Sequence, residues 1–535
     1  MNTFDKIKSG GFRFSAFSFS AASLLCFPFW HDLYTRNGTP FDDKFLSNHH
    51  QLPLLVRLDY IASILVALAV VVMLFLAFHI ADRCRKGSTI WLMDLLALGL
   101  ALYMLNVMRV WYLHWMSFGV VLDWLILSPL VGGVAVTVGA VGLCGALWLL
   151  RPVLRRLVLL GIPIGVVTLV NAVIGAVMLG GTSLAVSSND WPLAARHVGD
   201  MAKRRVVWVI FDETDYRLTF EKRPAALKMP NFDRLRGESF FAEQAFPPHH
   251  STLLSMSSVI TGKRTYQAAI TAAGPMLRWN SEKKLEPWRN TPSLFADVHA
   301  AGGDIGILGH PFPPYCRIFH AVITTCWEQG ESWLAQDGNA LTRTKTVILN
   351  LLAYVPLVNR LLHPDRFQAD AFADRYLAMG DGIRTAVTDP GLELVLVHWN
   401  IPGDLYLYDH IRQAHTMANE ETKNYVGNLA LVDRLLGNVL DAIKVSPARA
   451  RTTLIVSSDH HWPQSLDYDG IVDKRVPFIV RFPGQSDGVA FTQRLATILT
   501  TGIVRDILDG KVDSPAALAT LLRDKALYPN VPPHK

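Results

Sequence analysis

Arg205 to Glu213, RVVWVIFDE, is the stretch on which the fold turns: a β-branched and aromatic run that ends in two carboxylates. A short run apolar at nearly every position reads as a strand buried on both faces, the kind found in parallel sheets. Similar runs recur at Asp304 to Leu308, Leu394 to His398, Thr452 to Ser457 and Val476 to Arg481. Helical patterns lie between them. Pro230 opens one, and from Asn424 to Ile443 the residues Leu429, Val432, Leu436, Val439 and Leu440 form a single apolar face. Strands alternating with helices predict an α/β domain with a central, mainly parallel sheet covered on both sides. Ligands collect at the carboxyl ends of such strands. Asp212 and Glu213, His398, and Asp459-His460-His461 all fall there.

Working back from this domain, the chain changes character. It has 535 residues, 50% of them hydrophobic and only 18% charged, too apolar for a disordered protein and too long for one core. Of its 51 Lys and Arg only 13 precede Trp191, as do only 9 of its 45 Asp and Glu. The net charge of +6 is spread thinly, which gives no support to nucleic-acid binding. Five apolar stretches approach or match the length of a bilayer core: Phe12 to Trp30, Asp59 to Ile80, Ile90 to Val107, Trp124 to Leu150 and Leu157 to Leu179. The basic clusters Lys6/Lys8/Arg13, Arg83/Arg85/Lys86 and Arg151/Arg155/Arg156 fall at alternate ends of these spans. With positive loops inside, five spans place everything after Leu179 outside.

The expected organisation is therefore a five-helix transmembrane domain at 1–180, a polar linker at 181–203, a catalytic domain at 204–520 and a short tail at 521–535. Trp111, Tyr112, Trp115 and Trp124 have the aromatic character of a membrane interface. Asp94 and Asn106, with no matching intramembrane base, read as partners in helix–helix hydrogen bonds. The apolar run Thr346 to Leu362, broken by Asn350, Pro356, Asn359 and Arg360, reads as a helix of the soluble domain, either core or resting on the membrane surface. Cys316 and Cys326, ten residues apart in an exported domain, suggest a disulfide over two buried thiols.

Asp212-Glu213 and Asp459-His460 together offer the carboxylate oxygens and imidazole nitrogen that suit zinc or manganese. Between them in sequence lies a hydroxyl-rich segment, Pro247 to Lys263. A Ser or Thr there at a helix start is either a cap or, at the positive end of the helix dipole, a nucleophile facing a bound phosphate.

These elements resemble the alkaline phosphatase superfamily, in particular its sulfatase-like branch. The similarity is carried by VVWVIFDETD (206–215), MPNFDRL (229–235), the Thr252-to-Gly262 pattern T-x-x-S-x-x-S-x-x-T-G, and by segments 291–309, 392–409, 425–437, 453–460 and 475–484. Five spans with an external domain also look like phosphoethanolamine transferases and lipoteichoic acid synthases. The resemblance implies Thr252 as nucleophile, with Ser251 the competitor. It implies Asp212 or Glu213 as the first metal carboxylate, and Asp459 and His460 as later ligands, with Thr252 itself on the metal. Two departures stand out. The segment at Ser251 lacks the Pro and Arg of formylglycine sulfatases, which argues against sulfatase chemistry. Gly403 stands where relatives place a second histidine that holds the substrate phosphate, so His398 is left with His410 or His461 as partner; His249, His250 and His310 are extra candidates that read rather as structural or surface histidines.

The resemblance thus implies a multi-pass enzyme of the bacterial cytoplasmic (inner) membrane, its catalytic domain on the periplasmic or extracellular side. It would use a divalent metal, zinc or manganese, to move a phosphate-linked headgroup from a phospholipid donor to a lipid or glycan acceptor. A phosphodiesterase or phosphatase with the same site is the first alternative. A membrane protein whose domain only binds a glycan or partner is the second.

Overall fold

The computed structural model describes residues 3–37, 53–84, 88–112, 134, 137–139, 141–142, 145–146, 148–178, 192–197, 203–271, 274–278, 286–309, 313–328, 340–355, 378–403, 408–409, 414–415 and 421–523. The chain divides into two compact units. One comprises residues 1–46, 53–183 and 337–364, the other residues 47–52, 184–336 and 365–535.

The first unit is helical: α1 (Thr3–Asn37), α2 (Pro53–Cys84), α3 (Ser88–Tyr112), α4 (Arg151–Val158) and α5 (Gly161–Met178). Among the described residues, three helices are long and apolar enough to cross a membrane, over Val56–Cys84, Ser88–Arg109 and Arg151–Met178. The last includes both α4 and α5. The expected first span lies within α1. Most of the expected fourth, with Trp115 and Trp124, lies outside the described residues. Asp94 does have a basic partner after all: Arg155 Nη1 lies 2.8 Å from its Oδ1 and Arg151 Nε 3.7 Å from Oδ2. Two arginines assigned to an inner loop thus reach an acid on α3, a contact that sequence distance hid. Asn106 takes the expected kind of bond, donating to the backbone carbonyl of Tyr354 at 2.8 Å.

That last bond exposes a correction. The run beginning near Thr346 does not join the soluble domain. Residues Ala340–Ala353 form a helix that packs against α2 within the first unit. Arg343, 3% exposed, places Nη1 3.3 Å from Oδ1 of Asp59 on α2, while Val347 and Leu351 are buried on the same face. Positions 343, 347 and 351 are spaced by four, so the apolar stripe and its one cation address the same neighbour.

The second unit is built on an eight-stranded sheet: β1 (Arg205–Asp212), β2 (Phe240–Phe246), β3 (Ile305–Gly309), β4 (Thr325–Glu328), β5 (Leu394–Pro402), β6 (Thr452–Ser458), β7 (Phe478–Arg481) and β8 (Val489–Ala496), counting only strands of this sheet. Their spatial order is β8-β2-β7-β6-β1-β5-β3-β4. Only β7 runs antiparallel to its neighbours. β1 lies near the centre and is buried along both faces, as its sequence required. Val207, Val209 and Phe211 share a core with Leu429, Val432, Leu436 and Val439 of the helix Glu421–Val445. The helix Thr500–Leu508 packs on β1 as well. β2, β4 and β8 were not foreseen; Phe240–Phe246 carries Glu243 and Gln244, and Val489–Ala496 is interrupted by Thr492, Gln493 and Arg494.

Cys316 and Cys326 are joined, tying the short helix Tyr315–Phe319 to β4. The carboxylate of Glu328, at the end of β4, accepts from the backbone N–H of Cys316.

Removing one member of a buried ion pair strands the other, at a cost of roughly 3–5 kcal/mol, whereas removing both is far milder. Arg343→Met should lower the thermal midpoint of the purified full-length protein, and Asp59→Leu combined with Arg343→Met should recover most of the loss. A second expectation concerns pH. Burial pushes the Glu328 carboxyl up to about 8, against the opposing pull of the Cys316 N–H and Arg317. Between its ordinary value of 4.5 and 8 the folded chain binds the extra proton, so this stabilisation is complete at low pH and is lost as pH rises towards 8. The thermal midpoint of the wild type relative to Glu328→Gln should therefore fall between pH 5 and pH 8.

Candidate active site

The site is assembled where β1 and β6 end side by side. The parallel register pairs Phe211 with Ser458, so the next residues, Asp212 and Asp459, leave adjacent strands together. On the other flank the register between β1 and β5 slips after Phe211, and Asp212 pairs with Pro402. This irregularity lets the chain turn sharply at Glu213, which adopts φ +57°, a left-handed conformation that costs a non-glycine residue of order 1 kcal/mol. Hydrogen bonds hold it there. Glu213 N donates to Asp459 Oδ1 at 3.1 Å, and its carbonyl accepts from the Tyr425 hydroxyl at 2.6 Å. Tyr425 in turn accepts from Asp215 N and stacks on Trp462 with ring centroids 3.7 Å apart. Thr214 N donates to Ser458 Oγ at 2.9 Å. Ser458 and Tyr425 were not singled out from sequence, since a hydroxyl that serves a distant backbone leaves no local signal.

Gly403 fits this turn. A Cβ there would come within 2.7–2.8 Å of Cβ, Cγ and Cδ of Glu213. The space of a side chain at 403 is filled by Glu213, which explains physically the departure noted at this position.

Thr252 is the first residue of the helix Thr252–Thr261, and Ser251 is its N-cap. The Thr252 hydroxyl therefore sits at the positive end of ten residues of helix. It donates to Asp212 Oδ1 at 3.4 Å and lies 3.2 Å from His460 Nε2. His460 Nδ1 lies 2.9 Å from the carbonyl of His461, which must accept, so the proton is on Nδ1 and the Nε2 lone pair faces the site. Asp459 Oδ2 is 3.3 Å and Asp212 Oδ1 3.6 Å from that nitrogen. Asp459 is raised by burial but held below the ordinary carboxylate range by His460 and His398 and by hydrogen bonds with Asp212 and Glu213.

These four atoms form a candidate metal site. A tetrahedral ion with ligands at roughly 2.0–2.1 Å has ligand-to-ligand edges of about 3.3–3.4 Å. Four of the six edges among these atoms, 3.2, 3.3, 3.4 and 3.6 Å, lie at or near that value, three of them meeting at His460 Nε2. Glu213 also qualifies, since ligand atoms of Asp212, Glu213 and His460 all lie within 4.8 Å of one another. The carbonyl acceptor behind His460 is the kind of support that orients metal-binding imidazoles.

His398, His461 and His249 lie near this centre. His398, 1% exposed on β5, has its pKa lowered to about 4 by burial. His461 is likewise neutral, lowered to about 4 by burial and by His460. His249 stacks on the exposed His250 with centroids 4.2 Å apart. His410 and His310 lie outside the described residues.

No protein-family model and no curated protein matches the chain. Solved structures that resemble it include the phosphonate monoester hydrolase of Agrobacterium radiobacter, at 15% identity over 57% of this chain and 74% of that one, TM-score 0.37. A protein in the alkaline phosphatase superfamily from Vibrio parahaemolyticus is 12% identical over 61% and 70%, TM-score 0.39. The lipoteichoic acid synthase LtaP from Listeria monocytogenes is 15% identical over 61% and 76%, TM-score 0.35. At such values nothing about activity passes from them to this chain, whose chemistry rests on its own residues.

Gly403→Ala should push Glu213 from its place and weaken binding of zinc or manganese roughly tenfold, read by competition with a chelating dye. Gly380→Ala, where the added methyl meets nothing within 4 Å and the backbone is not left-handed, is the control for a mere glycine effect.

Proposed function

We propose that the protein is a membrane-anchored, metal-dependent transferase that moves a phosphate-linked headgroup from a phospholipid to a lipid or glycan acceptor through a covalent intermediate on Thr252. The observation that carries this reading is the Thr252 hydroxyl itself, at a helix N-terminus and within 3.4 Å of both a carboxylate oxygen and an imidazole nitrogen. Ser251, the N-cap, is the neighbouring hydroxyl, yet the contacts to Asp212 and His460 belong to Thr252.

Asp212, Glu213, Asp459, His460 and Thr252 would hold the metal, zinc or manganese. Bound there, it would lower the pKa of the hydroxyl and offset charge on the phosphoryl oxygens. The Thr252 oxygen forms a bond to phosphorus as the bond from phosphorus to the diacylglycerol oxygen breaks, and the hydroxyl proton leaves with the diacylglycerol. The helix N-terminus faces the anionic group throughout. An acceptor hydroxyl then attacks the same phosphorus and restores Thr252. With water as acceptor, the same residues perform hydrolysis. The apolar helices supply the reason to favour a lipid donor: a tethered domain meets headgroups at the bilayer surface. The reading places that domain on the periplasmic or extracellular side of a bacterial inner membrane.

Incubating the purified full-length protein with mixed bacterial phospholipids should leave a headgroup-sized phosphoryl adduct on the peptide containing Thr252, seen by mass spectrometry and absent from Thr252→Ala. Free phosphorylated headgroup with no transfer product identifies a hydrolase. A metal-loaded protein with neither adduct nor turnover would sink both enzymatic readings and favour a binding role.

A further inference from the structure

His398 is buried at the centre of the sheet, and its two ring nitrogens have unequal fates. Nδ1 lies 2.7 Å from the hydroxyl of Tyr315, whereas Nε2 has no hydrogen-bond partner among the described residues. Tyr315 is itself fully buried, and this is its hydroxyl's one hydrogen bond among them. Two arrangements are open to the pair. If Tyr315 accepts from Nδ1–H, its own proton is left buried without an acceptor, and Nε2 is left as a bare acceptor. If Tyr315 donates to Nδ1, the phenolic proton and the Nδ1 lone pair are both satisfied, and one unpaired donor remains, the Nε2 N–H. An unmet buried donor costs about 1–3 kcal/mol, so the structure should keep one only where something else will accept from it. Burial holds the imidazole neutral, so Tyr315 selects a tautomer and not a charge.

The pair lies beside the site. His398 lies within electrostatic reach of Asp459 and His460, and Tyr315 within reach of Asp459, Glu328 and Asp212. Tyr315 is also unusually well held. The bond between Cys316 and Cys326 ties its helix to β4, Glu328 accepts from the Cys316 N–H, and Gly309 makes room for the ring, since a Cβ there would meet it at 2.9 Å.

We propose that Tyr315 is a positioning residue: its hydroxyl donates to His398 Nδ1, fixes the proton on Nε2, and so presents the site with a neutral N–H donor for an oxygen of the phosphate-linked group. The identity of that acceptor rests on the reading of Thr252 given above; the tautomer does not. No bond is made or broken by either residue, and the donor's effect is to bind and orient.

The test uses full-length protein carrying 15N-histidine, with the His398 signals assigned by their loss in His398→Gln. The expected wild-type spectrum shows His398 protonated at Nε2 and unprotonated at Nδ1; a wild-type spectrum with the proton on Nδ1 overturns the proposal without any variant or activity. In Tyr315→Phe the tautomer should mix or invert, and the rate of Thr252 adduct formation should fall about tenfold, the loss of one hydrogen bond's worth of orientation, with the thermal midpoint held within a few degrees. In the His398→Gln background, where a side-chain amide offers a donor with no tautomer to set, Tyr315→Phe should have no further effect on that rate. Equal losses in both backgrounds would mean that Tyr315 serves packing alone. If the wild type never forms the adduct, the transferase reading fails, and the spectrum still decides the role of Tyr315.

Discussion

The carboxylate of Asp459 is the constraint on which the rest of the second unit's chemistry depends. Its Oδ1 accepts from the backbone N–H of Glu213 and of its own neighbour His460, at 3.1 and 2.7 Å. One oxygen thereby clasps the ends of two adjacent parallel strands, and the other faces the imidazole. A buried carboxylate in this position is tolerable only because several donors and two imidazoles surround it. Since Glu213, His460 and, through the strand end, Asp212 all take their places from it, Asp459 shapes the site as much as it would serve as a ligand. The oxygen that holds the backbone is not the one that would face a metal.

Much of this was legible in the sequence because parallel strands buried on both faces leave a strong signature and set their polar residues at one end. β1, β3, β5 and β6 could be read in that way, with Asp212, Asp459 and His460 at their ends; the antiparallel β7 showed only as an apolar run, the helix of Leu429, Val432, Leu436 and Val439 by its period, and Thr252 through the resemblance. What could not be read depends on long-range partners. Edge strands such as Val489–Ala496 mix polar and apolar residues and take their form from the neighbour they pair with. Arg343 looks like any surface arginine until Asp59 is found beside it. Tyr315 looks like a core aromatic; only the distance from its hydroxyl to His398 shows otherwise.

Glu213 and Gly403 occupy one shared space beside the site. The strained backbone at Glu213 directs its side chain into the space that a side chain at 403 would need. The two positions are therefore coupled, and neither can change alone without the other yielding.

The lodging of Ala340–Ala353 against α2 bears on how the protein could be shed or dissected. A chain anchored by its leading helices alone is freed by one cut in the connecting stretch. Here the polypeptide enters the helical unit a second time, midway through the sequence of the sheet-bearing unit, and is fastened by Arg343 and Asp59. A single nick between residues 181 and 203 would leave the two products held together without a covalent link. A fragment made to begin after that stretch would carry an amphipathic helix stripped of the surface it evolved to cover. Such a fragment should be sticky for that reason, and excising the 337–364 insertion, with its ends rejoined, is the rational way to make it soluble.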